Sequence, residues 1–161
     1  AAGHAYGRHV IADATLVSPR PLGLSFAEAA TLPVAYLTAH FALHHLGGLR
    51  AGDRVLIHAA AGGVGTAACA LARRAGAQIF ATAGSESKRA LLRDSGIEHV
   101  FDSRSGDFAR GVMEATGGEG VTVVLNSLAD DLVDRSFEVL ADHFPREEDD
   151  QNELPDRLIE G

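Results

Sequence analysis

The sequence has little of what disulfide-rich, zinc-binding and nucleic-acid-binding proteins need. Its 161 residues include one cysteine, Cys69, which excludes a disulfide framework and a cysteine-rich zinc module. Tryptophan is absent and aromatic residues make up only 6%, so a core has to come from close packing of small and aliphatic side chains. The formal net charge of -8 argues against a nucleic-acid binder. The hydrophobic share of 46% is enough for one domain with a real core.

We also expect neither a targeting signal nor a membrane span in these residues. No N-terminal stretch combines basic residues, an apolar run and a cleavage site. Residues 55–72 carry no charge, but alanine, glycine, threonine and histidine dominate them, and three glycines lie in the middle. This run is typical of a buried strand, a tight turn and a helix. We therefore expect a cytoplasmic protein that neither spans a membrane nor binds nucleic acid.

From Arg54 onward, strand and helix patterns alternate four times. The predicted elements are strands at 54–59, 78–82, 99–101 and 121–125, each followed by a helix, at 66–74, 85–94, 107–115 and 130–140. Such alternation favours an α/β fold with a parallel sheet and helices on both faces. Right-handed crossovers suggest a Rossmann order of 3-2-1-4. No strand pattern follows Leu140, so we expect the later strands to be missing and the edge beside the fourth strand to be open.

The residues before Arg54 are less regular. Residues 8–17 have strand character and end in a proline-containing breaker cluster. Ser25 and Glu28 have the spacing of a capping box. Pro33 is predicted to separate two short helices, the second over 34–46, which ends at a glycine pair.

The central motif is the glycine-rich turn at residues 60–65, Ala-Ala-Gly-Gly-Val-Gly, between a strand and a helix. It departs from GxGxxG at its first position, where Ala60 replaces glycine. Gly62 would let the backbone approach a pyrophosphate, and Gly65 would let the helix pack tightly on the sheet. Free N–H groups at the helix start favour an anion. The alternative is a tight turn without a ligand.

The end of the second strand indicates which dinucleotide is bound. An NAD-binding protein usually carries an acid there, whereas this sequence has Thr-Ala-Gly-Ser at 82–85. Ser85 and Lys88, the only lysine, could hold a 2′-phosphate, which favours NADP over NAD. Arg104, after the third strand, could reach the same phosphate. Lys88 and Arg104 could equally be solvated surface cations.

Asn126 and Ser127 follow the fourth strand, where they would face the nicotinamide end of a dinucleotide. Turn and N-cap chemistry is an equally good explanation of this pair. His40, His44 and His45 are expected on helix faces, and no spacing of histidine with cysteine or carboxylate indicates a metal site.

Three segments together resemble a known family: residues 32–39 (Leu-Pro-Val-Ala-Tyr-Leu-Thr-Ala), residues 54–65, and residues 123–128 (Val-Val-Leu-Asn-Ser-Leu). They resemble the enoyl reductase domain of modular polyketide synthases and animal fatty acid synthase, in the zinc-free part of the medium-chain dehydrogenase/reductase superfamily. The likeness extends from about residue 4 to residue 142. It implies NADPH-dependent reduction of the 2,3 double bond of an enoyl thioester carried on an acyl carrier protein. It also implies neighbouring synthase domains as partners.

The resemblance also implies roles for particular residues. The pyrophosphate would be held by Gly62, Gly63, Val64 and Gly65, the 2′-phosphate by Ser85, Lys88 and Arg104, and the ribose and nicotinamide by Thr38, Asn126 and Ser127. Val34 stands near the position of a cysteine ligand in zinc-dependent relatives, which agrees with a zinc-free site.

Departures from the family pattern define the expected domains. Residues 1–24 would be a remnant of a GroES-like substrate domain with a linker, and residues 25–142 an incomplete NADP-binding Rossmann domain. Residues 143–161 would be a disordered tail, because residues 138–161 carry a net charge of -7. The family's tyrosine and Gly-Lys proton-donor elements have no counterpart, so no catalytic residue is assigned and the chain would be mainly the cofactor-binding half.

Two alternative functions are compatible with the sequence, and a homo-oligomer is also expected. The chain could be a quinone oxidoreductase-like enone reductase, or a nucleotide-binding module without chemistry. An open sheet edge would also favour a homo-oligomer.

Overall fold

The computed structural model describes residues 9–129 and 131–141. Its elements, after a 3-10 turn at Ala14–Leu16, are α1 (Phe26–His40), a π-helix (Phe41–Leu46), β1 (Arg54–Ile57), α2 (Gly63–Ala75), β2 (Gln78–Ala83), α3 (Glu86–Asp94), β3 (His99–Asp102), α4 (Asp107–Ala115), β4 (Val123–Leu125) and α5 (Asp131–Phe137). The four strands form a parallel sheet in the order β3-β2-β1-β4. The predicted fold class and strand order are confirmed.

Helices cover both faces of the sheet, and the side chains of β1 alternate between them. Val55 and Ile57 join α1, the π-helix and α2 in one apolar cluster. Leu56 joins Phe80 of β2 and Phe108 of α4 in a second cluster on the opposite face. All five side chains are buried, as expected for a parallel sheet between helical layers.

Two predicted helix ends are confirmed. The Oγ of Ser25 accepts a hydrogen bond from the N–H of Glu28 at 3.2 Å, and the Glu28 carboxylate accepts from the N–H of Ser25 at 2.8 Å. This is the reciprocal capping box. At the end of α2, Gly76 takes the left-handed conformation (φ +78°) that glycine adopts without a steric penalty.

The strand prediction for residues 8–17 is wrong over the described residues 9–17. Ala14–Leu16 form a 3-10 turn, and the Asp13 carboxylate before it accepts hydrogen bonds from the N–H and hydroxyl of Thr15 at 2.9 and 2.7 Å. Every residue from 9 to 17 is exposed. A strand needs a neighbour to pair with its backbone, and no described strand lies beside this segment.

The predicted helix break at Pro33 is also wrong. Helix α1 continues through Pro33, whose ring is exposed, and passes directly into the π-helix. Proline inside a helix removes one backbone hydrogen bond. Burial of Ala39 and Leu43 against α2 and the sheet holds the helical segment together despite this loss.

After α5, residues 139–141 form backbone hydrogen bonds with Val121, beside the sheet. This pairing was not predicted from the sequence. The N–H of Val121 donates to the carbonyl oxygen of Val139 at 2.8 Å, and the N–H of Ala141 donates to Val121 at 3.0 Å. Val121 and Leu140 thereby form an isolated parallel bridge two residues before β4. The expectations for a tail at 143–161 and for missing later strands concern residues outside the described ones. The described residues contain no helix long and apolar enough to cross a membrane.

Candidate dinucleotide-binding site

The glycine-rich turn connects β1 directly to α2 at the centre of the sheet. Ala59, at its entrance, has φ +47°, and the N–H of Ala60 donates to the carbonyl oxygen of Thr82 at 3.0 Å. Gly62 is the N-cap of α2 and provides no side-chain cap. The N–H groups of the first helical turn have no partner within the helix, so they can donate to an anion.

The glycines of the turn differ in the space around them. A Cβ on Gly65 would collide with the carbonyl of Ala59 and come within 2.6 Å of the Cα of Ala60, so glycine is required for α2 to pack on the strand end. A Cβ on Gly62 would meet only the Ala59 oxygen, at 3.1 Å, and one on Gly63 would meet nothing. The surface beside Gly62 and Gly63 is therefore open, as a bound pyrophosphate requires. Val64 packs against the core.

Ser85, Lys88 and Arg104 lie together at the carboxyl ends of β2 and β3. Ser85 is the N-cap of α3, and its Oγ accepts from the N–H of Lys88 at 3.4 Å. The Lys88 side chain is exposed. The side chain of Arg104 crosses Gly84, with Nε 3.2 Å from where a Cβ on this glycine would lie. Among the described residues, neither cation forms an ion pair.

Arg89, the neighbour of Lys88, is fully engaged by the protein. It pairs with Asp102 at 2.8 Å and Glu86 at 2.9 Å, and it donates to the carbonyl oxygen of Ala83 at 3.0 Å. Its side chain is only 15% exposed. This cation therefore joins the ends of β2 and β3 to α3.

On the other side of the glycine turn lies the end of β4. The N–H of His58 donates to the carbonyl oxygen of Leu125 at 3.1 Å, which brings Asn126 and Ser127 beside the end of β1. The Asn126 side chain accepts from the N–H of Leu128 at 3.0 Å and donates to its carbonyl oxygen at 3.2 Å. The turn chemistry considered for Asn126 is therefore present. Ser127 and Thr38 of α1 are exposed.

The sequence did not reveal the role of His58 at the end of β1. Its ring is 2% exposed and lies 2.9 Å from the Oγ1 of Thr82 and 3.0 Å from the Oγ of Ser136. Phe108 contacts the ring edge-on, with centroids 5.0 Å apart. Burial lowers the pKa of His58 to about 4, so the ring is neutral at pH 7. Both nitrogens are occupied, which leaves this histidine a structural role.

Three other histidines lie on the helical segment before the sheet. His40 and His45 are exposed, His44 is half-buried, and the rings of His40 and His44 are 4.9 Å apart. In the described part of the chain, no group of three His, Cys, Asp or Glu side chains could hold a metal ion.

The parallel sheet and its glycine turn define a dinucleotide-binding domain of the Rossmann type. A sequence profile of the zinc-binding dehydrogenase family matches residues 63–143, half of the chain. The chain therefore belongs to this family, in the medium-chain dehydrogenase/reductase superfamily, and within it to the enoyl reductases of polyketide synthases. The resemblance found in the sequence is confirmed, and membership of this group implies a nicotinamide cofactor.

Three relatives illustrate the similarity. Erythronolide synthase EryA2 of Saccharopolyspora erythraea is 55% identical over 140 residues, which cover 86% of this chain and 4% of that protein. The CurK enoyl reductase structure is 53% identical, with a TM-score of 0.75, over 77% of this chain and 37% of that one. The nucleotide-binding subdomain of the PpsC enoyl reductase domain from Mycobacterium tuberculosis is 54% identical, with a TM-score of 0.66, over 67% of this chain and 60% of that one. The chain thus spans a small part of the synthase and about a third of a whole enoyl reductase.

Proposed function

We propose that this chain is the NADPH-binding half of an enoyl reductase of polyketide or fatty acid synthesis. The reaction is reduction of the 2,3 double bond of an enoyl thioester on an acyl carrier protein. One observation carries the proposal: the open glycine turn at the end of β1 lies between two exposed cations on one side and Asn126 on the other. The neighbouring domains of a cytoplasmic synthase would supply the rest of the site.

The site residues fit the chemical groups of the cofactor. The N–H of Gly62 donates to the carbonyl oxygen of Ala59 at 2.8 Å, so the N–H groups of Gly63, Val64 and Gly65 donate to the pyrophosphate. The open space at Gly62 and Gly63 admits it. Lys88, Arg104 and the Ser85 hydroxyl bind the 2′-phosphate. Neither cation has an ion-pair partner among the described residues, so both charges can match that of the phosphate. When bound, the cofactor supplies a hydride to the β-carbon of the enoyl group.

Three residues orient the ribose and nicotinamide in this proposal: Thr38, Asn126 and Ser127. The Asn126 amide keeps a second lone pair and a second N–H beyond its bonds to Leu128, so it can also bond to a carboxamide or hydroxyl. We assign no proton donor among the described residues.

A chimera distinguishes the proposed function from its alternatives. Residues 26–141 replace the equivalent segment of the CurK enoyl reductase, to which the chain is 53% identical. We expect the chimera to oxidise NADPH with a crotonyl thioester. NADPH binding without turnover would favour a non-catalytic module, and turnover with quinones alone would favour a quinone oxidoreductase-like enzyme.

We also propose that two copies associate through the edge of β4, the last strand of the described sheet. A groove of about 530 Å³ runs along this edge between the π-helix and α5. Its apolar lining includes Leu46 and Phe137, which are 69% and 66% exposed. Light scattering should therefore show a dimer that Phe137→Glu dissociates, and a monomer at high concentration would contradict the proposal.

A further inference from the structure

The carboxylate of Asp102, at the end of β3, contacts two different parts of the candidate phosphate site. Its Oδ1 accepts a hydrogen bond from the backbone N–H of Arg104 at 2.9 Å. Its Oδ2 pairs with Nη1 of Arg89 at 2.8 Å. One side chain thus connects the loop after β3 to helix α3, on which Lys88 also lies.

Arg89 anchors this carboxylate instead of facing a ligand. Its Nη1 also donates to the carbonyl oxygen of Ala83, and its Nε and Nη2 bond to Glu86 at 3.0 and 2.9 Å. A guanidinium with these partners has little capacity left for a phosphate. The adjacent cations on α3 therefore differ: Lys88 is exposed and available, whereas Arg89 holds Asp102.

The loop after β3 determines where the Arg104 side chain lies. The N–H of Ser103 donates to the carbonyl oxygen of Ala83 at 3.4 Å, and Asp102 holds the next N–H, that of Arg104. The Arg104 side chain then crosses Gly84, which has no Cβ to displace it. The Arg104 side chain therefore lies against the residue that precedes Ser85, the N-cap of α3.

The charge of Asp102 would repel a phosphate unless it were compensated. The hydrogen bond from the N–H of Arg104 is the main cause that lowers the pKa of the Asp102 carboxyl, and the charges of Arg89 and Arg104 lower it further. The carboxyl therefore stays ionised at neutral pH. Arg89 supplies a matching positive charge at 2.8 Å. The pair can therefore hold the Arg104 backbone without adding net negative charge.

We propose that Asp102, neutralised by Arg89, is a positioning residue that holds Arg104 in place for a 2′-phosphate and thereby sets the preference for a phosphorylated dinucleotide. The inference rests on the proposed NADPH function and deepens it. Asp102 does not touch the ligand and acts through the backbone of Arg104.

The test compares two nucleotide fragments, 2′,5′-ADP and 5′-AMP, by calorimetric titration of the full 161-residue chain. Asp102→Ala should weaken 2′,5′-ADP about tenfold and leave 5′-AMP unchanged, because only the former uses Arg104. Asp102→Asn keeps the side-chain oxygen that accepts the Arg104 N–H, so it should stay within about twofold of the original chain. Asp94→Ala removes one carboxylate at the far end of α3 and is the control for net charge.

The outcomes separate this inference from the proposed function. Equal losses for both fragments in Asp102→Ala, or no loss for either, would overturn the role of Asp102 alone. Tighter binding of 2′,5′-ADP by both Asp102 variants would mean that the carboxylate only repels the phosphate, and this would also overturn the role. An original chain that binds both fragments equally would instead contradict the proposed cofactor, and the inference with it. The far-ultraviolet spectrum and melting of Asp102→Ala should match the original, since the side chain is 42% exposed.

Discussion

The Nε2 of His58 lies 3.0 Å from the Oγ of Ser136, and this contact joins the end of β1 to α5 across 78 residues of sequence. The Ser136 hydroxyl donates its proton to the carbonyl oxygen of Leu132 at 2.9 Å, so the histidine ring donates through Nε2. Its Nδ1 then accepts from the hydroxyl of Thr82. Every polar atom of this buried group has a partner, and the group fixes the strand end from which the glycine turn begins.

Ser136→Ala should lower the free energy of unfolding by about 1–2 kcal/mol, because it leaves a buried imidazole N–H without an acceptor. Urea denaturation measures this loss. Ser18→Ala, at an exposed position before α1, is the control and should change nothing. A stability of Ser136→Ala equal to that of the control would show that the contact contributes little.

Acid should destabilise the fold through His58. Its pKa is about 4 in the folded chain and 6.5 when exposed, so between these values only the unfolded chain takes up the proton. The contribution of the neutral His58 ring to the free energy of unfolding is fully present above pH 6.5. It falls by on the order of 2–3 kcal/mol as the pH drops toward 4. Urea denaturation at intervals from pH 7.5 to 4.5 should show this decline.

Two variants assign the decline to His58. His58→Gln should flatten the profile above pH 4.5, whereas His45→Ala, at an exposed position, should retain it. The pKa values of the Glu28 and Glu86 carboxyls are lowered in the folded chain, so the stability that these carboxylates contribute is lost only at a lower pH than the loss from His58. An unchanged slope in His58→Gln would contradict this explanation.

Gly65→Ala should destabilise the fold by about 2 kcal/mol or more, because the new Cβ has no room against Ala59 and Ala60. Gly63→Ala is the matched control in the same turn, and its Cβ meets nothing. Thermal melting should therefore drop for the first variant and stay level for the second. Similar melting of both would mean that α2 can move away from the strand at little cost.

Lys88→Ala should weaken NADPH about tenfold and NADH hardly at all, because only NADPH carries the phosphate that this ammonium pairs with. Fluorescence titration of each reduced cofactor measures both affinities. Arg74→Ala, on the exposed face of α2, removes the same charge away from the site. Equal losses for both cofactors in Lys88→Ala would exclude the phosphate role.

The alternating part of the fold could be predicted because its signals are local. Each strand is a short apolar run, and the capping residues Ser25 and Gly76 act on their own helices. The glycine turn could be found for the same reason, since its motif lies between a strand and a helix. The predicted boundaries of the strands and helices differ from the observed ones by only a few residues, mainly at helix ends next to turns.

The wrong predictions concern contacts that local patterns do not encode. Residues 9–17 have strand composition but no described strand to pair with, and packing of Ala39 and Leu43 carries the helix past Pro33. The bridge of Val121 to Leu140 joins segments separated by α5. The partners of His58, Thr82 and Ser136, are distant in the sequence. Asp102 holds the nearby N–H of Arg104, but the charge that compensates it comes from Arg89 on another element, so neither residue type alone gave a signal.

Isothermal titration of the chain with NADPH and with NADH tests the central claim most directly. The account predicts saturable heat with NADPH and binding of NADH about tenfold weaker or more, because the N–H groups of the glycine turn bind both pyrophosphates and the cations bind only the extra phosphate. Folded protein that gives no heat with NADPH would contradict the account.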